Sequence, residues 1–142
     1  MIQNNILFFQ LLFILICCSV CSKDKQTIVG NEWQVESIKV HADSTLQFPD
    51  SGKVYILSFE NKKIDLNRKY TLKLDVNSCT EKVRFKSKST VDFETPGCTE
   101  ICCDSDFAKK IIDILPNVNK YDISGAALTF TSENGEILNL IK

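Results

Sequence analysis

The first 22 residues carry no charged side chain: all 17 lysines and arginines and all 18 aspartates and glutamates of the 142-residue chain come after Ser22. The chain is also short of histidine (1), tryptophan (1), proline (3) and glycine (5). Each shortage excludes something. The lone histidine, His41, lies in a polar stretch, so no Cys–His or Ser–His–Asp set can be assembled around it and hydrolase chemistry is not indicated. No glycine-rich phosphate loop and no calcium-loop spacing is present. The charges that exist are mixed in sign, with a net charge of −1. Nucleic acid is therefore not an expected partner, since binding it depends on clustered Lys and Arg that release counterions. The length suits one domain with a modest core rather than two.

What is there begins with a leader. From Ile6 to Cys18 the chain is apolar except for Gln10, then passes through Ser19-Val20-Cys21 to the charged Lys23-Asp24-Lys25. This is the hydrophobic region of a signal peptide, shorter than the roughly 20 residues a spanning helix needs. Its Met1–Asn5 start lacks the usual Lys or Arg. Three cysteines close the leader, one of them placed to receive a lipid and become the mature N-terminus. Cys18 has Leu15 three positions upstream, as a lipobox prefers, but Cys17 occupies the position reserved for a small residue. Cys21-Ser22-Lys23-Asp24 resembles the start of Bacteroidota lipoproteins. Lipidation at Cys21 also leaves an even set of four cysteines in an oxidising compartment. The expected plan is a lipoprotein signal peptide over 1–20 and a lipidated Cys21 (alternative Cys18). A tether over 21–29 and one domain over 30–142 follow. The expected location is the bacterial outer membrane, on its periplasmic or surface face, with the membrane contacted through the N-terminal lipid.

The body reads as short strands. Trp33, Val35, Ile38 and Val40 alternate with one change of phase, and Tyr55–Phe59 is a second strand after a loop of turn residues. Tyr70, Leu72 and Leu74, then Val83 and Phe85, alternate with polar residues as one buried face of an antiparallel sheet should. Lys82, Arg84 and Lys86 fall on its solvent face. Val91 and Phe93 precede a turn at Thr95-Pro96-Gly97-Cys98. Phe107, Ala108, Ile111, Ile112 and Leu115 have helical spacing, with Asp104 or Ser105 as cap and Pro116 as stop. Asp104 and Asp106 suit the helix dipole better than a catalytic carboxylate pair. Three strands follow, around Tyr121 and Ile123, Leu128 and Phe130, and Ile137–Ile141, with turns at Ser124-Gly125 and Glu133-Asn134-Gly135. The expected class is α+β, mainly antiparallel β in a compact barrel-like sheet, with one helix packed on it.

Cys79, Cys98, Cys102 and Cys103 are the one constellation with chemical potential. A bridge between the neighbours Cys102 and Cys103 is disfavoured, because their Cα atoms sit about 3.8 Å apart across a trans peptide. Cross-pairing is expected: Cys79 with Cys102 and Cys98 with Cys103, or Cys79 with Cys103 and Cys98 with Cys102. A Cys79–Cys98 bridge with two free thiols is the third option. A tetrathiolate metal site or a redox centre in the Cys98–Cys103 cluster is the sharper alternative, though Cys-x-x-Cys spacing is missing. No cofactor or resident metal is expected.

The order of these features resembles the META (HslJ-like) domain of bacterial envelope lipoproteins. The resemblance rests on the opening Asn31-Glu32-Trp33 strand, Asn77-Ser78-Cys79 after a central strand and Thr95-Pro96-Gly97-Cys98. It continues through one helix near Asp104–Leu115 and the closing Tyr121–Leu128 strand pair. Two departures are Ser78-Cys79-Thr80, where Gly-Cys-Asn is frequent, and the elaborated Cys102-Cys103-Asp104-Ser105. The resemblance implies a non-enzymatic envelope protein that binds another envelope component or supports the envelope under stress. A lipocalin-like carrier of a small ligand is the alternative fold and function, suggested by Gly30-x-x-Trp33. Against it, a lipocalin's main helix follows its strands, whereas three strands follow the helix here.

Overall fold

The structure is a computed structural model that describes residues 27–42, 44–64 and 66–142. The expectations for Cys18, Cys21 and the leader lie outside the described residues. Six strands come first: β1 (Glu32–Lys39), β2 (Ile56–Ile64), β3 (Asn67–Lys73), β4 (Ser78–Phe85), β5 (Val91–Phe93) and the two-residue β6 (Gly97–Cys98). Helix α1 (Asp106–Ile114) and a 3-10 turn (Leu115–Asn117) lead into β7 (Val118–Ser124), β8 (Ala127–Ser132) and β9 (Ile137–Ile141). All pair antiparallel in one sheet of order β5-β4-β3-β2-β1-β9-β8-β7, with β6 beside β4. The outer strands approach each other through a Thr90–Lys120 bridge, and the Tyr121 amide donates to Ser89 O at 2.9 Å. The sheet is thus a nearly closed barrel, in the mainly antiparallel α+β class that the sequence indicates.

Local sequence explains the shape of the strands. The phase change in β1 is a bulge: the register against β9 shifts between Val35 and Ser37. An extra residue there bends the strand and deepens its twist, as closure of a barrel requires. Upstream, Gly30 adopts φ +78°, and a Cβ at that position would lie 2.8 Å from the Asn61 side chain. Glycine therefore permits the turn that delivers Trp33 to the core. Trp33 is fully buried, and its Nε1 donates to Ile28 O at 2.9 Å. Ile28 is itself buried, so Thr27–Val29, assigned to the tether from sequence, are already held against the domain.

Following the strands from turn to turn gives the barrel two ends. At one lie the β1–β2 and β3–β4 connections, β6, α1 and the start of β7. At the other lie the β2–β3, β4–β5 and β7–β8 connections and the entering Thr27–Asn31. The helix closes the first end. Ser105 caps it by accepting from Ala108 N at 3.2 Å, and Phe107, Ala108, Ile111 and Ile114 are buried. Leu115 and Pro116 tighten the last turn into 3-10 geometry. Between the ends, the interior is filled by Trp33, Tyr55, Leu57, Tyr70, Leu72, Phe130 and Leu138, each fully buried. The sequence turn at Thr95–Cys98 is half strand: Gly97 and Cys98 pair with Thr80 and Cys79 as β6.

Candidate functional site

The cysteines lie at the helix-closed end. Cys79 faces Cys98 in the β4–β6 register with Cα atoms 3.9 Å apart, and the two are bridged. Cys102 and Cys103 are bridged to each other. Neither cross-pairing occurs. Strand register commits Cys79 to Cys98, while Asn77 draws the following loop away. Its side chain accepts from Ile101 N and Thr99 Oγ1 and donates to Ile101 O. Cys102 and Cys103 are left exposed, each beside the other's sulfur, and Cys103 takes a left-handed φ of 89°. Such a backbone costs a β-carbon residue about 1–2 kcal/mol. None of the four sulfurs is a thiol. Among the described residues no group of three or more His, Cys, Asp or Glu is placed to hold a metal ion.

Beside these bridges lies a polar network. Asp75, with a side chain only 2 % exposed, pairs with Lys53 at 2.6 Å and accepts from Tyr55 Oη and Ser105 N. Burial works to raise its pKa, but the hydrogen bonds from Lys53, Ser105 and Tyr55 prevail and hold the carboxyl well below its usual range. Asp104 accepts from Val76 N, Asn77 N and Asn77 Nδ2. Burial opposes ionisation there too and is outweighed by those donors, so its pKa is also lowered. Of the two cap candidates, Ser105 caps the helix and Asp104 holds the β3–β4 connection. This network ties α1 to the sheet.

The opposite end is open. A cavity of about 660 Å³ lies there between the entering chain, the β2–β3 and β4–β5 hairpins and β7. Its floor is Phe85 and Tyr121, which meet edge to face at 5.4 Å over the aromatic core. Tyr121 Oη donates to Ser87 O at 2.9 Å, and burial raises its pKa. Around the rim stand Lys63 and Arg68 from one hairpin and Arg84, Lys86 and Lys88 from the other, with no acidic residue among the described residues of the lining. Lys86 pairs with Asp92 at 3.1 Å; among the described residues, the other four cations have no carboxylate within ion-pairing distance. Arg68 is oriented by the Glu60 and Asn61 carbonyls and Arg84 by Asn67 Oδ1. An apolar floor under unpaired cations suits a ligand with an anionic head and an apolar body.

Sequence reading placed Arg84 and Lys86 on a solvent face, and they are exposed there. It did not show that the consecutive β2–β3 and β4–β5 hairpins bring their cations to one opening. The available signal was that each apolar-alternating hairpin is flanked by cations at its turn, Lys62-Lys63 with Arg68-Lys69, and Arg84 with Lys86 and Lys88.

No protein-family profile and no curated protein matches the chain. Among solved structures it is similar to an NMR structure of a protein from Burkholderia xenovorans. The two share 16 % identity at a TM-score of 0.60, over 80 % of this chain and 82 % of that one. At that identity the likeness concerns the fold alone.

Proposed function

We propose that this chain is a lipid-anchored envelope protein of the META (HslJ-like) kind, acting without catalysis, and that it binds an anionic amphiphilic envelope component at the open barrel mouth. The observation that carries the reading is the mouth itself: five cations around an apolar, aromatic floor, with no acidic residue among the described residues of the lining. The charge-free leader ending in Cys21 supports the anchor. The filled interior argues for binding at the mouth and not in a lumen.

The test uses mature protein solubilised in nonionic detergent and titrated with decyl phosphate and, in parallel, decyl maltoside. The equal chains partition alike, so a difference isolates the headgroup. Decyl phosphate is expected to saturate at one site, and Lys63→Glu with Lys88→Glu to weaken it at least tenfold. Equal binding of both amphiphiles, or indifference to the charge reversals, removes the reading. Intact mass spectrometry checks the anchor: an acylated Cys21 supports it, and an unmodified N-terminus overturns it.

A further inference from the structure

We infer that the mouth docks on the phosphate headgroups of the membrane that holds the anchor, with the β2–β3 hairpin as its inserting edge; this rests on the anchored reading above. Three observations converge. The first is where the chain leaves the domain. Thr27 and Ile28 line the mouth, and the six residues from Cys21 to Thr27 reach at most about 20 Å when fully extended. A lipid on Cys21 therefore holds this end of the barrel within about 20 Å of the bilayer surface, nearer than the helix-closed end.

The second is the distribution of charge. Lys63, Arg68, Arg84, Lys86 and Lys88 gather at the mouth, and of these only Lys86 has an ion-pair partner among the described residues, Asp92, while at the helix-closed end Lys53 and Lys109 are paired with Asp75 and Asp106. Charges separated by more than a Debye length of about 8–10 Å are screened from one another, so the near end governs what an anionic surface feels. Each lysine or arginine held at such a surface raises the affinity roughly fivefold. The third is the exposed apolar pair at the hairpin tip, Ile64 at 60 % and Leu66 at 72 % exposure; Leu46, Phe48, Val54, Val76 and Ile101 are exposed at the helix-closed end as well, so the pair counts through the cations beside it. Apolar side chains flanked by Lys and Arg are the composition of an interfacial membrane contact. Asp65, between them in sequence, lies outside the described residues.

The experiment places the full lipidated protein on phosphatidylcholine vesicles, with or without phosphatidylglycerol, that carry brominated acyl chains. Tryptophan is introduced at the mouth by Leu66→Trp or at the far end by Phe48→Trp; native Trp33 is fully buried. Leu66→Trp is expected to be quenched on phosphatidylglycerol vesicles and Phe48→Trp not. Adding Lys63→Glu and Lys88→Glu is expected to reduce the Leu66→Trp quenching several-fold while the anchor still floats the protein with the vesicles. Unquenched Leu66→Trp on floating protein, or quenched Phe48→Trp, overturns the inference alone. Protein that floats with neither vesicle overturns the anchored reading and the inference with it.

Discussion

Where β3 passes into β4, the chain is held by a capped helix, a strand-to-strand disulfide and two carboxylates deep in hydrogen bonds. Where β2 passes into β3, at the other end of the same strands, the described residues show no disulfide and no helix, and exposed cations surround an opening. The first end uses its polar groups on itself: nearly every donor and acceptor named there has a partner in the protein. The second leaves charged groups with unmet capacity. On the proposed reading, stability and recognition are separated along the barrel axis, and charge at the mouth is expected to be alterable without disturbing what holds the fold.

That separation can be broken most severely at the closed end. Ile111 is fully buried under the helix, and Ile111→Ala is expected to cost about 2–5 kcal/mol in urea unfolding. A loss below about 1 kcal/mol would mean that α1 does not seal the barrel. Next in size is the polar network. Asp75→Asn removes the charge that Lys53 pairs with, and because Lys53 is half exposed the expected loss is about 1–3 kcal/mol rather than the larger cost of breaking a fully buried pair.

The same network sets an acid limit. Asp75 and Asp104 titrate below their ordinary 3.8 in the folded protein, so near that pH the unfolded chain binds more protons than the folded one. Their stabilisation is complete above it and is lost as pH falls toward the folded values. The urea midpoint should be level from about pH 7 to pH 5 and drop below about pH 4, less steeply in Asp75→Asn. A drop of equal steepness in that variant would place the acid sensitivity elsewhere. The smallest effect belongs to the mouth. Lys63→Glu with Lys88→Glu should change stability by no more than about 0.5 kcal/mol, and a larger loss would show that the rim also holds the barrel together.

Much of the fold was legible because alternation survives wherever one strand face is buried. The phase slip between Val35 and Ile38 marked the β1 bulge, and Glu133-Asn134-Gly135 marked the β8–β9 hairpin. The helix was legible from Phe107, Ala108 and Ile111, though not which neighbour caps it, since Asp104 and Ser105 are equally good caps in isolation and the β3–β4 loop decides between them. β6 was hidden because two residues have no period. The expected cysteine cross-pairing failed for a related reason: the Cys79–Cys98 bridge, which stood only as the third option, follows from the register of β4 against β6, which no local pattern reports. The candidate mouth was illegible because its cations come from two hairpins and meet through the β3–β4 register, which sets Arg68 opposite Val83 and beside Arg84 and which no local pattern reports.

The pairing of β1 with β9 reaches beyond the native state. Asn139 Nδ2 donates to Ser37 Oγ across a separation of 102 residues, so the first strand of the domain finds its second neighbour only in the last. Contacts between such distant segments form slowly, because chain closure precedes any reward from the pairing. During synthesis the barrel cannot be completed until its final strand has emerged. The order of the strands thus builds a delay into folding: β1 keeps an unpaired edge, and the barrel an open seam, until β9 arrives.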